Sequence, residues 1–352
     1  YQLADGQNEL TVRLESDGPE GVKIAKTYVF KRGSYVVDVK YEIVNGSAKP
    51  LTASAYYRFL RDGHKVEGGG MGASTFTGPA VYTEGNKFQK VEFDKLAENK
   101  AQYAEKAKDG WVAMLQHYFA TAWIVSPIGG DAICGPQACR YDLKKLPDGL
   151  YSAGVITDLP QVAAGGKLET RVPLFLGPED TRVLKNVAPG LELVKDYGMV
   201  TVIATPLFWL LEKLHAIVGN WGWAIILLTV LIKAVFFPLS AASYRSMAKM
   251  RVVAPRMEEL KRRYANDRMK LQQAMMQMYK DEKINPLGGC LPVLIQIPVF
   301  IALYWTLLAS VEIRQAPWLG WITDLSAKDP YYILPVLMTI SMYVQSLLSP
   351  PP

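Results

Sequence analysis

Residues 219–239, GNWGWAIILLTVLIKAVFFPL, form an apolar run that carries one charge, Lys233, well inside it. At about 1.5 Å per helical residue the run just spans a hydrocarbon core of ~30 Å, so it reads as a transmembrane helix. A cation near the bilayer centre costs roughly 2.5–3.5 kcal/mol on insertion scales. Lys233 therefore either snorkels to an interface or faces something wet. Which of the two holds decides what such a chain can do.

Charge orients the run. Residues 245–283 hold eleven Lys/Arg against five Asp/Glu, an excess equal to the +6 of the whole chain. Basic segments beside spans mark the cytoplasmic side, which puts 245–283 inside and everything before Gly219 outside. The first residues show no charged n-region and no apolar h-region, so export of an outside domain leads to the expectation of a signal or anchor segment upstream. The Ser349-Pro350-Pro351-Pro352 end, directly after an apolar run, reads as the start of a cytoplasmic loop in a fragment of a longer chain.

The outside part, 1–200, has the pattern of an antiparallel all-β sandwich. From about Leu10 to Val194, β-branched and aromatic residues alternate at period two between Gly, Pro, Asp and Asn punctuation: LTVRLE, VKIAKTYVF, SYVVDVKYEIVNGS, LTASAYYRFL, WVAMLQHYFATAWIV and ETRVPLFLG. Residues 95–108, KLAENKAQYAEKAK, are polar and helix-prone, a surface excursion between strands. Trp111, Tyr118 and Trp123 are either strand and core aromatics, as their place in the alternation favours, or a stacking platform for sugars. Cys134 and Cys139, in CGPQAC, lie where an oxidising compartment permits a disulfide closing a tight loop. No Cys/His set has metal spacing, and His64, His117 and His215 are scattered, so no metal site is expected.

Residues 201–218 change to period 3.6, with Pro206, Leu207, Leu210, Leu211, Leu214 and Val218 on one side. This is either an amphipathic helix in the outer interface or a packing helix closing the sandwich. After the span at 219–240, residues 241–285 read as a cytoplasmic helical hairpin. Met247, Met250, Ala254, Met257 and Tyr264 recur at three- and four-residue steps, a turn falls at 265–267, and Leu271, Met275 and Met278 repeat the stripe. Its methionines suit a surface for varied apolar partners or an ordinary seam. Its basic residues, Arg245, Lys249, Arg251, Arg262 and Arg263 among them, could meet anionic lipid headgroups or ribosomal RNA, or simply be solvated. A second span, 286–311, is interrupted by prolines and Gln296 and runs outward. Residues 312–330 form an outside loop with Trp318 and Trp321, and 331–348 return through the membrane with Gln345. The fold expected is thus an extracytoplasmic antiparallel all-β sandwich followed by a polytopic α-helical membrane bundle with a cytoplasmic hairpin.

Thr229 and Lys233, four residues apart, share a helix face, with Ser240 on a similar line. Gln296 and Gln345 in the neighbouring spans extend a polar lining biased to the cytoplasmic half, which favours a hydrated cavity over snorkelling. At this point the residues resemble a known family. YRSMAKMRVVAPRMEELKRRY, then INPLGGCLPVLIQIPVFIALYWTL, then VEIRQAPWLGWITDLSAKDPYYILPVLM closely resemble the YidC membrane protein insertases of Gram-negative bacteria, from about Thr205 to the end. The upstream sandwich is consistent with that family's large periplasmic domain.

The resemblance implies an inner-membrane insertase and chaperone, not an enzyme. It would receive hydrophobic segments of nascent membrane proteins at the cytoplasmic side and pass them laterally into lipid, alone or beside the Sec translocon, with the ribosome and anionic lipids as further partners and no small-molecule cofactor. Family members carry a cation, usually arginine, in a groove open to cytoplasm and lipid, and the matching position here is Lys233. Lysine keeps the charge but lacks the planar fork, so attraction is expected without bidentate carboxylate capture. The family core has five spans, of which three are visible. The sequence holds no Gly-rich phosphate loop. The competing class is a membrane-tethered periplasmic carbohydrate-binding protein, which would require paired carboxylates or a metal in a cleft.

Overall fold

The computed structural model describes residues 1–64, 76–135, 137–195, 197–265, 267–282 and 291–348. The chain divides into two compact units, residues 1–198 with 309–311 and residues 199–308 with 312–352.

Among the described residues the first unit has twelve strands: β1 (Glu9–Asp17), β2 (Val22–Lys31), β3 (Val36–Asn45), β4 (Ser54–Arg61), β5 (Thr77–Thr83), β6 (Lys87–Lys90), β7 (Lys106–Ala107), β8 (Trp111–Gln116), β9 (Phe119–Ile124), β10 (Cys139–Lys145), β11 (Tyr151–Asp158) and β12 (Lys167–Pro178). Eight of them form one sheet in the order β1-β2-β3-β12-β9-β8-β5-β6, and four form a second in the order β4-β11-β10-β7. Neighbours such as β2 and β3, β12 and β3, and β11 and β4 pair antiparallel. The outside part is the antiparallel sandwich that its period-two alternation predicts.

The large sheet is covered on both faces at its centre. Val39, Val112, Met114, Trp123 and Val172 on one face share a core with Tyr57, Tyr141 and Val155 of the small sheet. Trp111, Ala113, Leu115, Ala122 and Phe175 on the other share a core with Leu184, Ala188, Leu191 and Val194. That second cover begins with the short helix α2 (Thr181–Leu184), whose N-cap Asp180 accepts hydrogen bonds from the Arg182 and Val183 amides. A strand buried on both sides has no polar face to alternate with, which is why WVAMLQ is an almost unbroken apolar run. Trp111 and Trp123 are thereby core residues on opposite faces of one sheet, not a shared stacking platform.

Two local features complete the unit. Residues 95–108 are helical only as far as Ala97, at the end of α1 (Phe93–Ala97), which differs from the helix-prone reading. Phe93 and Leu96 are buried anchors, and Asn99 takes the left-handed region at φ 55, which stops the helix; the chain then runs on to β7. Cys134 and Cys139 are joined by a disulfide with their Cα atoms 5.3 Å apart.

The second unit is helical: α3 (Thr201–Val218), α4 (Trp221–Arg263), α5 (Arg268–Asp281), α6 (Leu291–Leu308) and α7 (Ile333–Leu348). Gly219, at φ 68, ends α3 by donating its amide to the His215 carbonyl 2.8 Å away, and Asn220 opens α4 by accepting from the Trp223 amide at 3.2 Å. The predicted span 219–240 and the first arm of the hairpin are one continuous helix, which carries Pro238 and Pro255 within it. Among the described residues, Thr201–Val218 and Trp221–Arg245 are long and apolar enough to cross a membrane, whereas Leu294–Leu308 and Ile333–Leu348 are shorter apolar helices. The beginning of the predicted span 286–311, residues 286–290, lies outside the described residues.

α3 packs against α4 and α6. Its buried residues are Ala204, Phe208 and Leu211, a stripe about a quarter turn away from the Pro206 to Val218 face expected from hydropathy. The small side chain of Ala204 explains the difference. It admits α6 closely enough for the Thr306 hydroxyl, which donates to Ala302 O at 2.7 Å, to reach Ala204 O at 3.5 Å. Hydropathy alone does not register close approach at a small residue.

Candidate functional site

The site begins with where α4 puts its cation. Lys233 is exposed on the helix, and its Nζ lies 5.0 Å from the centroid of the Phe300 ring on α6. An ammonium at that distance is attracted by the ring's quadrupole, by about 0.5–1 kcal/mol at an exposed site and more where water is excluded. Thr229, one turn earlier on the same face, is half-buried and donates its hydroxyl to Ile225 O at 2.9 Å, so its donor is satisfied within its own helix. Gln296, one turn before Phe300 on α6, is partly buried, and its Nε2 has no hydrogen-bond partner among the described residues. A buried amide donor left without a partner costs roughly 1–3 kcal/mol.

The structure therefore brings Lys233 beside the α6 face that carries Gln296 and Phe300, with Thr229 on the same face as Lys233. Gln345 sits on α7, which is exposed along its length and contributes no buried residue. Phe300 was missed by sequence reasoning. Its four-residue spacing from Gln296 was legible, but which residue of α6 meets Lys233 is a tertiary fact.

The hairpin arms meet along a seam. Val253 is buried, and Met257, Met275 and Met278 are half-buried. The Tyr279 hydroxyl reaches across to the Met257 sulfur at 3.4 Å, and Arg256 pairs with Glu282. Arg245, Arg262 and Arg263 are exposed, and so are Met269 and Met276. Met257, Met275 and Met278 thus lie at the seam and Met269 and Met276 on the surface, while the side chains of Met247 and Met250 lie outside the described residues. Lys249 and Arg251 belong to α4, but their side chains lie outside the described residues.

At the other end of α4, the loop 312–332 is pinned down. Asn220 donates to Pro317 O at 2.9 Å, and the Trp318 ring lies so close over Gly222 that a Cβ there would meet it at 2.2 Å. Asp329 accepts from the Leu334 and Tyr331 amides and from the Trp321 indole, at 2.8 to 3.0 Å, and those bonds, led by Leu334, hold its carboxyl below the usual range. Trp223 and Trp318 meet edge to face at 5.7 Å. Aromatics gathered at one end of an apolar helix are the mark of a membrane interface.

A β-sandwich unit and an apolar helical unit, the latter with a cation on a long helix, together define a class: membrane proteins with a large extramembrane domain. Comparison with known proteins narrows the class. Residues 1–210 match the family model described as the YidC periplasmic domain, and residues 213–352 match that described as the 60Kd inner membrane protein. The chain belongs to the YidC family of inner-membrane insertases. It is 61% identical, over its whole length and 64% of the relative's, to the membrane protein insertase YidC of Laribacter hongkongensis. It is 56% identical to that of Aromatoleum aromaticum, over 99% of this chain and 62% of the relative. The chain thus spans somewhat under two thirds of the length of these relatives. Among solved structures it is similar to an active YidC insertase crystallised with its first transmembrane domain resolved, at 19% identity and a TM-score of 0.44, covering 99% of this chain and 72% of that one.

Proposed function

We propose that this chain is the part of a membrane protein insertase that receives and releases the substrate, with Lys233 as the working charge. The observation that carries the reading is the exposed ammonium of Lys233 on an apolar helix, next to an α6 face that presents the partnerless amide of Gln296. A cation and an unsatisfied donor on facing apolar helices are stable only where water or a ligand reaches them. Such a hydrated pocket shortens the low-dielectric path that an acidic tail must cross, while the ammonium attracts it. The hydrophobic segment then drives the step by leaving water for lipid, at roughly 25 cal/mol per Å². Thr229 and Gln345 extend the polar lining in this reading.

The hairpin is the cytoplasmic receiver. Arg245, Lys249, Arg251, Arg262 and Arg263 offer cations to the ribosome or anionic lipid, while Met257, Met275 and Met278 hold the two arms together so that the outer methionines meet apolar segments. Nascent membrane proteins are the substrates, and the Sec translocon is a partner in the same process. The chemistry requires no bond to be made, so the protein acts on insertion without a cofactor or fuel of its own.

Reconstitution tests this reading. Proteoliposomes carrying the protein, with no ATP, should insert a small single-tail coat-type membrane protein to a protease-protected form. Insertion no faster than into empty liposomes would contradict it.

A further inference from the structure

The second unit contains a cavity of about 440 Å³ at the outer end of α4, a size common among small-molecule sites. The first turns of α4 supply Gly222, Ile225 and Ile226 to it, and the start of α7 supplies Leu334. The loop 312–332 closes it with Trp318, Trp321 and Leu325. At about 1.5 Å per residue, Ile226 lies only ~7.5 Å along the axis from the first residue of α4, so the cavity sits where headgroups give way to acyl chains.

The cavity is continuous with surface that the bilayer covers. Ile226, Trp321 and Leu334 are exposed, and so are Trp223 and Leu227 next along α4 and Leu337 further along α7. In an inner-membrane protein such a surface faces lipid, with its tryptophans at the headgroup level. A void there would forfeit the dispersion contacts of its lining, and lipid is the neighbour at hand to fill it.

The charges of the lining are unequally engaged. Asp324 Oδ1 accepts the Gln315 and Ser326 amides and the Ser326 hydroxyl at 2.7 to 3.0 Å, and Asp329 accepts the Tyr331 and Leu334 amides and the Trp321 indole. Both carboxylates are thereby committed to the shape of the loop. Lys328, which also lines the cavity, is exposed and pairs with no carboxylate among the described residues. A long stem with a charged tip lets lysine lie along apolar surface while its ammonium meets the headgroup layer.

We propose that this cavity is a phospholipid site of the periplasmic leaflet, with an acyl chain against Ile225, Ile226, Leu325 and Leu334 and the phosphodiester on the Lys328 ammonium. Chain and phosphate are recognised together: lipid tails alone gain no hydrophobic drive over the surrounding bilayer, and one exposed cation alone holds a free phosphate weakly. A lipid seated there ties the loop and the first turns of α4 to one depth in the membrane. The site lies at the outer end of α4, and its test is independent of the role of Lys233.

Native mass spectrometry of the full chain in detergent micelles tests it, with dioleoylphosphatidylethanolamine as the probe. The first lipid should bind at least tenfold more tightly than later ones, and at least tenfold more tightly than dioleoylglycerol, which has the chains without the phosphate, or glycerophosphoethanolamine, which has the phosphate without the chains. Lys328→Gln should weaken that first site about fivefold, and Ile226→Trp, which fills the cavity, at least tenfold. Lys213→Gln, which removes an exposed cation of α3 that does not line the cavity, should change it less than twofold. Lipids bound with one uniform affinity, dioleoylglycerol or glycerophosphoethanolamine bound as tightly as the phospholipid, or equal losses in Lys328→Gln and Lys213→Gln would each overturn the proposal.

Discussion

The two units use the same side chains in opposite ways. In the sandwich, Trp111, Phe175 and Val39 are wholly buried, and the sheet is closed on both faces by its own chain. In the helices, Val235 is 65% exposed, Phe237 69%, and α7 has no buried residue at all. A water-soluble unit cannot leave so large a contiguous apolar surface uncovered. The sandwich is stabilised by taking apolar surface out of water, whereas for the helices the apolar surface is the face offered to lipid, and only polar groups such as Lys233 need shelter. A substitution should therefore have opposite consequences in the two units, and that contrast can be broken experimentally.

The largest effect is expected in the sandwich core. Trp111→Ala removes a fully buried ring whose indole donates to Pro189 O at 3.1 Å, and should destabilise the first unit by about 3–5 kcal/mol in chemical denaturation. Next comes a substitution that would be harmless on a soluble surface. Val235→Asp, at an exposed site two residues from Lys233, should lower membrane insertion of α4 by about 2.5–3.5 kcal/mol on an insertion scale. An effect within about 0.5 kcal/mol, the norm for exposed positions in water, would remove the lipid-facing reading.

A smaller effect separates the units by pH. Burial pushes the Tyr57 phenol up to about 12, against about 10 in an unfolded chain. Because the folded value is the higher one, this contribution is whole below pH ~10 and is lost as the pH rises through about 12, a change on the order of 2 kcal/mol. Tyr141 is pushed in the same direction by burial. Alkaline denaturation followed by tryptophan fluorescence should report early loss of the sandwich, with a shallower decline in Tyr57→Phe. The smallest effect is expected on the hairpin surface, where Arg263 and Glu259 pair at 3.1 Å with both side chains exposed. Glu259→Gln should change hairpin protection from limited proteolysis by no more than about 0.5 kcal/mol.

Legibility in the sequence divided along the same lines. Period-two runs announced most strands of the sandwich, and WVAMLQ was read among them from its apolar and aromatic content although β8 is buried on both faces. TGPAVYT, which becomes β5, was not read as a strand, since it is buried on both sides and carries Pro79. The apolar run of α4, the turn before Asp267 and the Met257 to Met278 seam were legible because they depend on local periodicity. The true packing face of α3 was not, because it is set by how closely α6 approaches Ala204. Lys233 stood out from its cost alone. Its neighbour Phe300 did not, because cation and ring come from separate helices and nothing in either stretch states their register.

The central claim is that Lys233 works by charge in a wet groove, and the most direct measurement is insertion by Lys233 variants into ATP-free proteoliposomes, with substrates whose translocated tails are acidic or neutral. The account predicts that Lys233→Arg retains activity, while Lys233→Ala and Lys233→Glu lose insertion of acidic-tailed substrates about tenfold or more and of neutral-tailed ones far less. A Cys substituted at 233 should also react with a water-soluble thiol reagent from the cytoplasmic side, because thiolate forms only where water reaches it. Wild-type insertion of acidic tails by Lys233→Ala, together with an unreactive thiol, would contradict the account and leave Lys233 as a snorkelling anchor.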